Sequence, residues 1–187
     1  MEVGSIGGAK VELVSNIEST DENEINIRLA KKGDKEAFGR LIEENKVSMY
    51  RIALSMLGNK QDIEDVIHNA IIKAYEGVIY LKKNEYFKTW LIRILINECK
   101  SVLRSNKKVV HIEEVGEDIS ITEDFSNIEL TSAVNSLEED LRTVTTLFYF
   151  EDIPQKEISK LLGIPEGTVR SRLSRARSKL YEMLKER

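Results

Sequence analysis

Cysteine, proline and long apolar runs are all scarce in this chain, and each shortage closes off a class of protein. Cys99 is the only cysteine in 187 residues, so no internal disulfide can form. His68 and His111 stand far from it and from each other, and no zinc-ligand spacing results. Two prolines and no sustained apolar–polar alternation argue against a β fold. No apolar run approaches the length of a membrane span, and the first twenty residues lack the basic, apolar and small-residue succession of a signal peptide, so a cytoplasmic protein is expected. Carboxylates are scattered and no glycine loop suited to phosphate is found, which leaves an enzyme acting on nucleic acid a remote reading and gives no reason to expect a metal or cofactor. What remains is a globular composition, 41% hydrophobic and 32% charged with a net charge of -4, on periodicities that predict an all-α fold.

The most specific local pattern lies at the end. Gln155 to Leu162 reads as a short helix, Gly163 as a turn residue, and Ile164, Pro165, Glu166 and Gly167 complete the turn. Val169, Leu173, Ala176, Leu180 and Leu184 then recur at helical spacing and should face inward. The opposite face carries Thr168, Ser171, Ser174, Arg175 and Ser178, flanked by Arg170 and Arg177 on one side and by Arg172 and Lys179 on the other. Short hydroxyl side chains let a helix approach the DNA major groove closely, and arginine can pair with phosphate or grip a guanine edge. From Gln155 onward nine basic residues face four acids, in a chain that is acidic as a whole. A plain solvated face is the bland alternative. It suits poorly a helix with no acid between Thr168 and Leu180.

Upstream, residues 1–21 read as a poorly ordered tail. Phe38, Leu41, Ile42, Met49, Ile52, Ala53, Met56 and Leu57 form one helical stripe that stops at Gly58 and Asn59. A second helix opens at Asp62 with Ile63, Val66, Ile67, Ala70, Ile71, Ala74, Tyr75 and Val78 inside. A third, from about Glu85 to Arg104, turns Phe87, Leu91, Ile94, Leu95 and Val102 inward and Trp90, Arg93, Asn97, Lys100 and Arg104 outward, a second positive surface. Between His111 and Asp140 ten acids accumulate and lysine and arginine vanish. The expected organisation is therefore a tail (1–21), a first domain (22–104), an acidic linker (105–127) and a second domain (128–187), that is, two small helical domains joined by the linker, the C-terminal one a helix-turn-helix.

With these residues in hand, the chain resembles an extracytoplasmic-function (ECF) RNA polymerase sigma factor of the sigma-70 family. Gln61 to Ile67 followed by Lys73, Ala74 and Tyr75 is similar to the helix by which that family holds the polymerase clamp. Trp90 to Ile94, then Asn97, Leu103 and Arg104, resembles its minus-10 reading helix. Glu157, Ile158, Leu162, Gly163 and Ile164, then Gly167 to Leu173 and Arg175 to Arg177, resemble its minus-35 reader. The chain departs from the usual pattern at Ile96, where arginine is common, at Ser101, where aspartate is common, and at His68, where glutamine is common; Ser159 replaces the usual alanine.

The resemblance implies a specificity subunit that catalyses nothing and directs core polymerase to promoters. It assigns Thr168, Arg170, Ser171, Arg172, Ser174, Arg175, Arg177 and Lys179 to the minus-35 element. Asn84, Tyr86, Phe87, Lys88, Arg93, Asn97, Lys100 and Arg104 fall to the minus-10 element, with Asn84, Tyr86 and Phe87 as candidates for the pocket that holds a flipped base. A core role stands beside this one for Phe87 and is the stronger reading for Trp90. Asp62, Asp65, Asn69, Ile72 and Lys73 fall to core polymerase. The implied partners are RNA polymerase core, through the clamp of its beta-prime subunit and the beta flap, promoter DNA, and an anti-sigma factor, often membrane-anchored. For the acidic linker two roles stay open, a solvated tether and a strand threading the polymerase cleft. The alternative function is a helix-turn-helix transcription regulator that is not a polymerase subunit; it leaves the first basic helix idle.

Overall fold

In a computed structural model of the protein, residues 22–106 and 128–185 are described. The expected tail and nearly all of the expected linker lie outside them. Every regular element among the described residues is helical, as the periodicities predict.

The first unit begins with α1 (22–30), which turns through Gly33 at φ +93° into α2 (Lys35–Met56). Asp34 starts α2 by accepting from the backbone N–H groups of Glu36 and Ala37, both at 3.0 Å, which satisfies two donors that a helix N-terminus leaves open. Asn59 does the same for α3 (Lys60–Gly77) through Gln61 N at 2.8 Å, so this helix starts two residues before the expected Asp62. Short 3-10 turns at Val78–Tyr80 and Asn84–Tyr86 lead into α4 (Phe87–Asn106). Leu41, Met49 and Ile52 of α2, Ile63 and Val66 of α3, and Leu91 and Leu95 of α4 are fully buried together. Each large aliphatic side chain so buried stabilises the fold by about 1.5–3 kcal/mol before entropy is counted.

The second unit comprises α5 (Ile128–Asn135), α6 (Glu139–Thr145), a π-helical turn (Thr146–Phe150), α7 (Gln155–Leu162) and α8 (Glu166–Lys185). Val169, Leu173 and Ala176 point inward as expected, and Leu180 is half-buried. Leu184, expected on the same inner stripe, is 41% exposed, because the core it would join ends one turn earlier with Leu180 and Met183 against Leu137, Leu141 and Ala176.

The two units are not held apart. Val144, Leu147, Ile153, Ile158 and Leu161 of the second belong to the same apolar cluster as Met49, Ile52, Ile92, Ile96 and Cys99 of the first. Across the boundary α6 and the π turn pack on α2, and α7 packs on α4. This accounts for α4 being apolar over a wider arc than one face needs. Ile92, Ile96 and Cys99 are buried alongside Phe87, Leu91 and Leu95, whereas Ile94 and Val102 are only half-buried.

Candidate nucleic-acid interface

The helix-turn-helix is built as the sequence suggests. Gly163 closes α7 in the left-handed conformation, φ +71° and ψ +35°, with its N–H donating to Ser159 O at 2.9 Å. Ser159 Oγ donates to the Ile164 carbonyl at 2.6 Å, so the serine ties the far side of the turn. From there α8 projects Arg170, Ser171, Ser174, Arg175 and Arg177 into solvent, with Thr168 half-buried at its first turn. Two of the eight expected minus-35 residues are held by acids at the start of α6. Arg172 is only 17% exposed and pairs with Asp140, while Lys179 Nζ bonds Glu138 Oε1 at 2.6 Å. Glu138 and Asp140 thus belong to the second unit and fasten α6 to α8; the Lys179 contact holds the Glu138 carboxyl below its ordinary range. Arg177 reaches the Tyr149 hydroxyl at 3.3 Å and Arg170 stands 3.8 Å from Glu166, both at exposed positions.

The expected minus-10 residues divide in the same manner. Arg93, Asn97 and Arg104 lie exposed along α4. Lys100 does not: its ammonium donates to the carbonyls of Leu161 at 2.9 Å and Leu162 at 2.8 Å, the negative C-terminal end of α7. Burial, and secondarily the charge of Arg104, push its pKa down. In the loop, Asn84 accepts from Lys31 Nζ at 3.1 Å, and the same ammonium donates to Leu81 O at 2.7 Å. Tyr86 is 54% exposed with Lys83 above its ring. Phe87 is a core residue at 4% exposure, so of the three pocket candidates only Asn84 and Tyr86 offer surface. Lys31, Lys82, Lys83 and Lys88, with Glu24, Glu44 and Glu85 among them, line an open groove beside this loop. Trp90 lies half-buried against Gly77, where an added Cβ would come within 3.1 Å of the indole.

On α3, Asp65 and Asn69 are exposed and Ile72 shows 44% of its surface. Lys73 Nζ bonds Glu98 Oε1 at 2.6 Å, and Asp62, half-buried, accepts from Asn106 at 3.2 Å. These five side chains share one outward strip of α3, partly braced by α4.

Sequence reasoning missed the acid that joins the units. Glu151 follows the π turn, and Asp152 behind it takes a positive φ of 54°. The Glu151 side chain is 1% exposed. Its carboxylate meets Arg51 Nη1 at 2.9 Å, Lys88 Nζ at 3.1 Å and the Ser48 hydroxyl. An acid directly after the run Leu147, Phe148, Tyr149, Phe150 was the available signal, and nothing local distinguishes it from a loop carboxylate.

Known proteins supply the frame for this geometry. The sequence model of Sigma-70 region 2 matches residues 41–109, and that of Sigma-70, region 4 matches residues 127–180. The ECF RNA polymerase sigma factor SigW of Bacillus subtilis (strain 168) is 30% identical over 178 residues, covering 86% of this chain and 95% of the relative. The ECF RNA polymerase sigma-E factor of Haemophilus influenzae is 30% identical over 171 residues, covering 81% and 89%. Among solved structures, the sigma factor RpoE in complex with the anti-sigma factor NepR from Bartonella quintana superposes with a TM-score of 0.63 at 25% identity, covering 79% of this chain and 96% of that one. No helix among the described residues is long and apolar enough to cross a membrane. With the two regions in order on the two helical units just described, the chain belongs to the ECF RNA polymerase sigma factors and is an alternative sigma factor that directs transcription initiation.

Proposed function

We propose that the exposed face of α8 reads a minus-35 element, that the outer face of α4 and the loop before it read a minus-10 element, and that the outward strip of α3 grips core polymerase. The observation that carries this is the division of α8, whose apolar side is buried while its other side offers Arg170, Ser171, Ser174, Arg175 and Arg177 with no acid between Thr168 and Leu180. Arg175 is the residue best placed for a base edge, and Arg170 and Arg177 for phosphates. On this reading residues 22–104 and 128–187 are the two working domains, 105–127 spans between them, and the chemistry of nucleotide addition rests with the polymerase.

The partners follow from the same reading: core polymerase through the beta-prime clamp and beta flap, promoter DNA, and an anti-sigma factor. Support for the last is the likeness to RpoE, a sigma factor solved with its anti-sigma partner. A cytoplasmic location fits these partners. Run-off transcription with purified core polymerase on a promoter library is the test. The chain should support initiation from a defined class of promoters. Sequence-specific DNA binding by the chain alone, with no association with core enzyme, would establish the regulator reading instead.

A further inference from the structure

The two flanks of α8 hold their cations differently. On one flank Arg172 pairs with Asp140, and Lys179 Nζ bonds Glu138 Oε1 at 2.6 Å, so each positive charge already faces a carboxylate. On the other, Arg177 Nη1 donates to the Tyr149 hydroxyl at 3.3 Å, and a phenol orients a guanidinium without cancelling its charge. Arg170, on the same flank, stands 3.8 Å from Glu166 with both side chains exposed, a pairing that water and salt screen. Tyr149 lies outside the helix-turn-helix, in the π turn (Thr146–Phe150), and turns of this kind are frequent at functional sites. It is 47% exposed, and its ring meets Phe148 edge to face with centroids 4.9 Å apart. Phe148 is half-buried against the apolar cluster, so the phenol stands on a fixed base. That packing needs a ring and no hydroxyl; the side chain that the hydroxyl bonds is Arg177.

We propose that Tyr149 and Arg177 together form a seat for one phosphate of the DNA backbone, with Tyr149 holding Arg177 in place and touching the phosphate itself. The proposal rests on the assignment of the α8 face to promoter DNA. Accepting from Arg177 uses a lone pair of the phenol oxygen and leaves its O–H able to donate. A phosphodiester oxygen against this flank takes that O–H together with the guanidinium N–H groups that Tyr149 does not use, and the latter bonds are charge-assisted. At 3.3 Å the internal bond is longer than the common range, so the guanidinium is steered and not consumed. The opposite flank, with its cations on Glu138 and Asp140, offers a phosphate no comparable charge. The asymmetry brings the backbone to the Tyr149 side. A phosphate seated there fixes the placement of α8 in the groove and carries no sequence information, which falls to residues such as Arg175.

Arg175 and Arg177 are exposed in the folded chain, so the full-length protein is the sample. It is titrated by fluorescence anisotropy, across a salt series, against two labelled duplexes of equal length, one carrying the minus-35 sequence preferred in run-off transcription and one scrambled. Tyr149→Phe keeps the ring and removes only the hydroxyl. It should weaken binding to both duplexes by the same factor, about fivefold, with the ratio between them and the melting temperature unchanged. Arg177→Ala should weaken both and lower the slope of log affinity against log salt by about one. Added to Arg177→Ala, the Tyr149→Phe change should cost much less than it does alone, because the seat has already gone. A tyrosine that served only the fold would cost the same in either background. Wild-type affinity in Tyr149→Phe, a loss confined to the preferred duplex, or losses that add in full would each overturn the proposal. Where Arg175→Ala weakens the preferred duplex and Tyr149→Phe changes nothing, the seat alone fails. Where neither Arg175→Ala nor Arg177→Ala weakens binding, the minus-35 reading fails and takes the seat with it.

Discussion

The Ser55 carbonyl, in the last turn of α2, accepts from Arg142 Nε at 3.0 Å across 87 residues of chain. The last turn of α2 contains no basic residue of its own, so the second unit supplies the charge that completes it. The same guanidinium donates to Asn135 O at 3.0 Å and Leu137 O at 3.1 Å, and burial pushes its pKa down from the ordinary arginine value.

Removing that side chain strips a donor from three carbonyls, and Ser55 O keeps a partner in Thr143. Arg142→Met should destabilise the protein by about 1–3 kcal/mol. Urea denaturation checks this. A midpoint unchanged from wild type would mean that water replaces the guanidinium at no cost.

Arg175→Ala should weaken binding to the preferred minus-35 sequence by about 1–3 kcal/mol and relax discrimination at one base. Lys179→Ala should cost little on any sequence, because its ammonium already serves Glu138. Binding titrations on a promoter set and on scrambled duplexes separate the two. Equal losses on every sequence for Arg175→Ala would move that residue to the phosphate backbone.

Charge reversal at Asp65 combined with Ile72→Ala should abolish capture by core polymerase while leaving the helical spectrum and the minus-35 affinity in place. Both residues are exposed on one strip of α3, and neither supports the core. A pull-down against core enzyme reads the outcome, and undiminished capture would place the clamp contact elsewhere.

At Gly163 no atom stands near the place an added Cβ would take, so Gly163→Ala is penalised only by the left-handed backbone, about 1–2 kcal/mol. At Gly77 the backbone is ordinary and the obstacle is the Trp90 ring, 3.1 Å from the added atom. Gly77→Ala should therefore shift tryptophan fluorescence and Gly163→Ala should not. Thermal melts of both, with emission spectra, test the contrast.

Burial, with a smaller contribution from Glu98, raises the Cys99 thiol to about 12, against a partial offset from a backbone hydrogen bond. Only the thiolate reacts, and at pH 8 a group with that value is ionised to about one part in ten thousand. Native protein should resist alkylation by iodoacetamide for hours and react promptly in denaturant; mass spectrometry distinguishes the two. Rapid modification of folded protein would show that α4 opens locally.

Much of this was legible in the sequence because it is local. Gly163 as a helix stop, the inner stripe of α8 through Val169, Leu173 and Ala176, and the α3 stripe through Ile63, Val66, Ala70 and Ala74 depend on neighbours within a turn or two, where periodicity speaks directly. What was hidden is non-local. Ile96 and Lys100 sit one helical turn apart on α4, and that stripe meets α7, so Lys100, expected on an exposed basic face, shares a seam with buried Ile96 instead. The pairing of Arg172 with Asp140 and of Lys179 with Glu138 spans 32 and 41 residues, and no local spacing announces it. Phe87 was a matter of packing alone, which spacing cannot decide.

The surroundings of Glu151 also decide where the cost of neutralising it would fall. With Arg51, Lys88 and Ser48 all turned toward one carboxylate, a neutral glutamine at this position would leave two cations side by side without a counter-charge, so the cost of that change falls on α2 and α4 as much as on the turn that carries the acid.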